Sequence, residues 1–147
     1  MIEFPQKKEI TMKKVLVSIV LLSTLLVSGF EAVDAEQLIK MRKEGVPVID
    51  IRTPQEWKER GIIEGAHLAM FFDSRGKAHA KEWLGKLSQL VKNKKEPFII
   101  YCAHANRSKV VGKWLSDKLG YEKVYELKGG IEYGWRDLGK KVTYPAQ

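Results

Sequence analysis

The chain has 147 residues, 44% of them hydrophobic and 30% charged, which fits one globular domain with a tail. Its formal net charge of +8 favours anionic partners. From Phe30 onward, however, 22 Lys and Arg residues face 16 Asp and Glu residues, and no aromatic-interleaved basic motif or zinc-ligand spacing occurs. We therefore expect no nucleic-acid partner.

Residues 1–29 are predicted to hold upstream residues and a targeting segment. Lys13 and Lys14 precede sixteen uncharged residues, 15–30, an order typical of a secretory signal peptide, with Met12 as the expected start. The apolar run is short for a membrane span, which needs about 20 residues, but an uncleaved membrane anchor is the alternative. We expect an exported protein of the periplasm or cell envelope, which contacts the membrane only through that anchor.

Residues 30–147 are predicted to form a single α/β domain, because strand-like and helix-like segments alternate along them. The predicted elements in chain order are a helix capped by Asp34 and ending near Gly45, a strand at 46–51, a helix starting at Thr53 and Pro54, a short strand at 67–70, a helix at 80–91, a strand at 98–101, a helix at 109–119, a strand at 124–127 and a last helix at 131–138. Apolar strands in this alternation predict a small parallel β-sheet with helices on both faces.

The stretch that carries chemistry is residues 98–108, FIIYCAHANRS. Its first four residues are typical of a strand buried on both faces, and Cys102 follows them directly. Small and polar residues come next, then Arg107, Ser108 and a helix. Backbone N–H groups converge at such a turn, and together with the Arg107 guanidinium they favour a thiolate over a thiol. This pattern predicts a reactive thiol rather than a small core residue.

Cys102 is the only cysteine of the chain, so no internal disulfide can form. A lone thiol in an oxidising compartment is better explained by function than by stabilisation.

The pattern Cys-x-x-x-x-Arg-Ser between a strand and a helix resembles the active-site loop of the rhodanese (sulfurtransferase) domain family. From Asp50 to Ala66 the chain has the order DxR, EW, G and GA, similar to the DxR…E[FYW]…GHIxGA motif of that family. From Leu127 to Trp135 it has LxGGxxxW, similar to the closing motif. With the three motifs in family order, the resemblance covers residues 33 to about 142, and the chain is similar to single-domain periplasmic rhodaneses.

The resemblance also predicts details of local structure. Gly129 and Gly130 are expected to let the backbone pass close beside the site, and Trp135 is expected in the core. Two residues depart from the family pattern: Ile62 replaces a histidine, and Ala105 replaces the usual glycine of the loop. The second departure requires an alanine to adopt a conformation that suits glycine, so we expect a slightly different loop shape.

The resemblance implies a reaction and assigns roles. Cys102 would attack the outer sulfur of thiosulfate or polysulfide, and the resulting persulfide would pass its sulfur to a thiol, cyanide or sulfite. No metal or cofactor is expected, and the partners are small sulfur anions and an acceptor thiol or protein. The backbone N–H groups of the loop would hold the persulfide. The predicted cradle is Ala103, His104, Ala105, Asn106 and Arg107, and the supporting residues are Asp50, Arg52 and Ser108.

Several side-chain roles stay open in the sequence. Arg107 either orients the loop or binds donor oxygens; an ion pair with Asp50 is the preferred structural interpretation, and the roles are compatible. Arg52 is expected to pair with Glu56. His104 either adds positive charge and carries a proton or fills an exposed loop position.

Two other functions compete with sulfur transfer. Cysteine phosphatases and arsenate reductases share the architecture but place five residues between cysteine and arginine, whereas four separate Cys102 from Arg107. The shorter loop makes a smaller cradle, which suits one sulfur atom and disfavours a tetrahedral oxyanion. A non-catalytic carrier of sulfane sulfur is the third hypothesis, which turnover with thiosulfate and cyanide distinguishes from an enzyme.

The best cleavage pattern for the signal peptide conflicts with the expected start of the domain. Residues 33–35 before Glu36 best match a small-x-small cleavage pattern. The resemblance, however, places the first strand of the domain at residues 30–33 and a helix cap at Asp34, which that cleavage would remove. We therefore expect cleavage near Gly29, or retention of the segment as an anchor.

Overall fold

Five parallel strands form one sheet in the order β1-β5-β4-β2-β3 in the computed structural model, which describes residues 29–146. The strands are β1 (Phe30–Val33), β2 (Val48–Asp50), β3 (His67–Leu68), β4 (Phe98–Tyr101) and β5 (Val124–Leu127). The helices are α1 (Ala35–Lys43), α2 (Pro54–Arg60), α3 (Ala80–Leu90) and α4 (Asn106–Asp117), followed by a π-helical turn at Glu132–Arg136. The predicted parallel α/β architecture is confirmed.

The first two helices begin at the capping residues expected from the sequence. The Asp34 carboxylate accepts from the Gln37 N–H at 2.8 Å, and the Gln37 side chain accepts from the Asp34 N–H at 2.9 Å. Thr53 and Glu56 make the same reciprocal arrangement at α2, with Pro54 at the first helical position. Both helix starts are therefore determined by residues that are adjacent in sequence.

Each face of the sheet packs against its own helices, because side chains alternate along a strand. Phe98 and Ile100 of β4 lie in one core with residues of α3 and α4, and Ile99 and Tyr101 lie in the other. The second core includes residues of α1 and of the π-helical turn. Cys102 lies in the first core, on the face covered by α4. Helices on both faces were predicted, and the two cores confirm this.

The strand register gathers polar groups at one edge of the sheet. β4 lies between β2 and β5, with Asp50 paired to Tyr101 and Ile100 paired to Glu126. Cys102 directly follows β4, so it lies at the same carboxyl ends of the strands, on the face of the sheet that Glu126 shares with Ile100. Open α/β sheets place their sites at this edge.

The strand that the resemblance placed at residues 30–33 is β1. It pairs with β5 along its whole length, and the Gly29 carbonyl accepts from the Val124 N–H at 2.8 Å. Residues 1–28, which hold most of the predicted targeting segment, lie outside the described residues. Within residues 29–146 no helix is both long enough and apolar enough to cross a membrane.

The strands predicted at 46–51 and 67–70 are shorter in the structure, at Val48–Asp50 and His67–Leu68, and two predicted helices also have different bounds. The helix after Cys102 begins at Asn106, three residues before the predicted Lys109, because the turn at Ala105 already brings the Ala105 carbonyl to the Lys109 N–H at 3.0 Å. The last helix is shorter than predicted and has π geometry. There the Asp137 N–H donates to the Glu132 carbonyl, five residues earlier, at 3.0 Å.

Candidate active site

The loop between β4 and α4 turns through a left-handed residue. Ala105 has φ 66° and ψ −1°, and it is the one non-glycine residue with positive φ between residues 29 and 146. An L-residue in this region costs about 1 kcal/mol. The expectation that Ala105 adopts a glycine-like conformation is confirmed, and the turn points the start of α4 at Cys102.

Backbone N–H groups surround the Cys102 sulfur. The Ser108 N–H donates to Cys102 Sγ at 3.4 Å. In the described part of the chain, the N–H groups of residues 103–107 donate to no protein atom. Free amides at a helix N-terminus favour negative charge, so the loop can hold a thiolate or a persulfide anion.

A buried carboxylate, which sequence reasoning missed, lies behind the sulfur. Cys102 Sγ donates to Ser108 Oγ at 3.5 Å, and Ser108 Oγ donates to Glu126 Oε2 at 2.7 Å. Burial raises the pKa of Glu126 above its usual range, against the opposing effects of the Ser108 hydroxyl and two lysines of α4. The available signal was an acidic residue at an inward position of β5, otherwise flanked by apolar side chains.

Arg107 forms a bidentate ion pair with Glu56, which corrects the predicted pairing with Asp50. Its Nη2 lies 2.6 Å from Glu56 Oε1, and its Nη1 lies 2.9 Å from Glu56 Oε2. Glu56 Oε2 also accepts from the Thr53 N–H at 3.0 Å. Burial opposes ionisation of Glu56, but the bonds from Arg107 and Thr53 prevail and lower its pKa to about 2. The pair ties the start of α4 to the start of α2.

Arg52 pairs with Asp50, not with Glu56 as predicted. The two side chains are fully buried, with Arg52 Nη2 2.7 Å from Asp50 Oδ2 and Nε 3.0 Å from Oδ1. Arg52 Nη2 also donates to the Gly61 carbonyl at 2.6 Å. Residues two apart at the end of a strand lie on the same side of it, which explains this pairing. Glu56 is thereby left for Arg107.

Of the two closing glycines, Gly130 lies against the loop of Cys102, as expected, whereas Gly129 approaches Tyr133 and Gly134. Gly130 has φ 65°, and a Cβ on it would overlap the carbonyl of Ala103. Beyond it, the Ile131 N–H donates to the Cys102 carbonyl at 3.0 Å, and the Glu132 N–H donates to the Ala103 carbonyl at 3.0 Å. The segment after β5 therefore fixes the carbonyl side of the loop, which leaves the N–H groups of the loop available.

Residues 34–137 match the sequence model of the rhodanese-like domain. The chain belongs to the rhodanese-like domain family. The thiosulfate sulfurtransferase GlpE of Pseudomonas fluorescens is 31% identical over 120 residues, which are 82% of this chain and 93% of the relative. GlpE of Pseudomonas entomophila is 29% identical over 82% of this chain and 93% of its own length. The chain is thus similar to rhodanese-type sulfurtransferases over nearly their full length, which supports sulfurtransferase activity in general.

A solved structure supports the fold independently of the site. The polysulfide-sulfur transferase homodimer of Wolinella succinogenes superposes with a TM-score of 0.59 at 17% identity, covering 93% of each chain. At this identity the similarity establishes the rhodanese-like fold alone.

An open cleft of about 310 Å³ lies beside the Cys102 loop of this rhodanese-like domain, and we call this cleft the mouth of the site. His104 is exposed there, with its ring centroid 4.7 Å from that of Tyr133. Its predicted roles in charge and proton transfer stay predictions. The residues that line the cleft are Arg52, Glu56, Arg60, Ala103, His104, Glu132, Tyr133 and Asp137. Charged and aromatic side chains therefore border the route to the loop.

Proposed function

We propose that this chain transfers a sulfane sulfur from thiosulfate or polysulfide to a thiol, cyanide or sulfite through a persulfide on Cys102. The observation that carries the proposal is the set of donors around Cys102 Sγ. The Ser108 N–H points at the sulfur, and the N–H groups of residues 103–107 have no acceptor among the residues that the structure describes. Preorganised amides of this kind stabilise an anion without reorganisation during the reaction. A terminal persulfide sulfur is such an anion.

The reaction has two displacements at sulfur. The Cys102 thiolate attacks the outer sulfur of thiosulfate, a new S–S bond forms, and sulfite leaves with the electron pair of the broken bond. An acceptor thiolate or cyanide then attacks the terminal sulfur of the persulfide. The S–S bond to Cys102 breaks, the product leaves as a persulfide or thiocyanate, and the Cys102 thiolate is regenerated.

The proposal assigns supporting roles by contact. The N–H groups that would hold the persulfide belong to Ala103, His104, Ala105 and Asn106. Arg107 positions the part of the loop that begins α4, through its bond to Glu56. The buried pair of Asp50 and Arg52 holds the end of β2, and Ser108 contacts the sulfur through both its N–H and its hydroxyl. A four-residue loop encloses a smaller space than the phosphatase loop, so we expect no hydrolysis of aryl phosphates.

The proposed setting is the periplasm or cell envelope. It rests on the basic and apolar order of residues 13–30 and on the lone cysteine of the chain. The proposed partners are small sulfur anions and an acceptor thiol, free or on another protein.

Thiocyanate formation from thiosulfate and cyanide tests the proposed activity. We expect turnover by the wild-type protein and none by Cys102→Ser, whose circular dichroism and thermal midpoint should stay close to wild type. The chain has no second cysteine to replace Cys102. Turnover by Cys102→Ser would refute the persulfide mechanism, and a wild-type protein that takes up sulfur without turnover would be a carrier.

A further inference from the structure

A chain of hydrogen bonds leads from Cys102 to a buried acid that the proposed reaction does not use. We propose that Glu126, acting through Ser108, accepts the thiol proton of Cys102, so that the three side chains form a proton relay. The inference rests on the proposed role of Cys102 as the nucleophile. Glu126 does not touch the sulfur, so it acts as a positioning residue for the proton.

The hydrogen bonds are directed so that a proton can pass from Cys102 through Ser108 to Glu126. Cys102 Sγ donates to Ser108 Oγ at 3.5 Å, and the Ser108 hydroxyl donates to Glu126 Oε2 at 2.7 Å. The three residues are 1%, 0% and 2% exposed, so the side chains rather than bulk water surround the path. An ionised carboxylate only accepts hydrogen bonds, so Ser108 must donate to it and turn a lone pair toward the thiol.

The charges around Glu126 permit it to hold a proton. From α4, Lys109 and Lys113 favour its ionised form, but burial outweighs them and raises the pKa of Glu126. The residues beside it in the sheet, Ala32 of β1 and Ile100 of β4, are uncharged. On the other side of the loop, the Arg107 guanidinium is held by Glu56.

The proton transfer balances within the three side chains. The S–H bond of Cys102 breaks as its proton passes to Ser108 Oγ, while the proton of Ser108 passes to Glu126 Oε2. The products are a thiolate, an intact hydroxyl and a neutral carboxylic acid, so the net charge of the trio stays at −1. The Ser108 hydroxyl then donates to the thiolate. An anionic sulfur donor thus approaches one negative charge instead of two.

The relay predicts a titration in two steps, because two interacting acids share their protons. The first step places one negative charge on the pair, and a fraction of the molecules carries it on the sulfur. The second step ionises both groups and completes the conversion to thiolate. A purely structural Glu126 would leave the titration of Cys102 in a single step.

The rate of iodoacetamide alkylation of Cys102 against pH measures this directly. We expect an intermediate plateau and a second rise for the wild type, and a single rise for Glu126→Gln, which keeps a hydrogen bond to Ser108 but accepts no proton. The matched control is Glu122→Gln, which removes the same charge at an exposed position just before β5 and should keep two steps. Ser108→Ala should lower the alkylation rate on the plateau about tenfold, because the thiolate loses the hydrogen bond from the Ser108 hydroxyl.

Infrared spectroscopy gives a second readout. A carboxylic-acid C=O band should be present on the plateau, disappear with the second step, and be absent in Glu126→Gln. Identical single-step profiles for wild type and Glu126→Gln would overturn the relay. Alkylation needs no sulfur donor, so a two-step profile without sulfur transfer would refute the proposed function and leave the relay standing.

Discussion

Two carboxylates flank the loop of Cys102, and their surroundings act in opposite directions. Glu56, at the mouth, is paired with Arg107 and has its pKa lowered to about 2, although burial opposes this. Glu126, behind the sulfur, is held by the Ser108 hydroxyl, and burial raises its pKa. One carboxylate is fixed in its charged form and the other is able to change its protonation.

The difference is what a loop with a rigid frame on one side and the proposed proton relay on the other requires. A bidentate pair between ionised groups fixes geometry, which the cradle needs on its helical side. In the proposed relay, a buried acid linked to Cys102 through a hydroxyl responds to the charge on the sulfur. Two titratable groups can take different acid–base roles where their environments shift their pKa values in opposite directions. Glu56 and Glu126 are such a pair.

Loss of the Arg107–Glu56 ion pair should have the largest effect on turnover and stability. Arg107→Ala leaves the partly buried Glu56 without its cation and frees the start of α4. We expect turnover with thiosulfate and cyanide to fall at least about tenfold and stability to fall by about 2 kcal/mol, since bonds between charged groups contribute about 1.5–3 kcal/mol. Turnover assays and urea unfolding measure the two effects.

Arg60→Ala is the matched control for that variant. Arg60 pairs with Glu132 at the same mouth, at 2.7 Å, but its side chain is 51% exposed, so its loss should leave stability nearly unchanged. Equal activity and stability in the two variants would show that the Arg107–Glu56 pair positions nothing.

The pH dependence of stability should isolate Glu56. Its folded pKa of about 2 lies below the ordinary value of 4.5, so the stabilisation is present above about pH 4.5 and is lost as the pH falls toward 2. Its size is at most about 3 kcal/mol, because each pKa unit is 1.36 kcal/mol and solvent screens the pair. Urea unfolding across this range should show a weaker dependence for Glu56→Gln than for wild type.

Glu59→Gln controls for the loss of one acid from the same helix. Glu59 is exposed, and among residues 29–146 its side chain accepts from the Gln55 side chain alone, at 2.8 Å. Its variant should follow the wild-type pH dependence. An unchanged dependence in Glu56→Gln would contradict the fixed charge at the mouth.

Substitution at Ala105, in the turn between the two carboxylates, should change the free energy of unfolding least. The sign of the change tells whether the positive φ of Ala105 is strained. Ala105→Gly relieves a positive φ and should raise stability by about 0.5–1 kcal/mol. Ala32→Gly, at an exposed position of β1 with negative φ, should lower it by a similar amount. Two shifts of the same sign in thermal unfolding would contradict the strain assigned to Ala105.

Features encoded by adjacent residues were predictable from the sequence. The apolar run at Phe98–Tyr101 gave a strand with every residue buried, and the reciprocal caps at Asp34 and Thr53 start α1 and α2 where expected. Spacing from Cys102 located the loop, and the resemblance, through the glycine usual in the rhodanese family at position 105, indicated a glycine-like conformation there. Each of these depends on short-range geometry.

Choices among distant partners were not predictable. Two ways of pairing are open to Asp50, Arg52, Glu56 and Arg107. The pairing expected from the sequence is wrong, because strand alternation places Arg52 beside Asp50 and Arg107 then meets Glu56. The role of Glu126 depends on its register with Ile100 across two strands and on the helix that carries Ser108. Such contacts exist only after the sheet has assembled.

The intact mass of the purified protein tests the central claim, that Cys102 carries the transferred sulfur. After treatment with thiosulfate or polysulfide and removal of the excess, the wild type should gain one sulfur atom and lose it again on addition of cyanide. Cys102→Ser should gain none under the same treatment. A wild-type mass that does not change, or an equal gain in Cys102→Ser, would contradict the persulfide on Cys102.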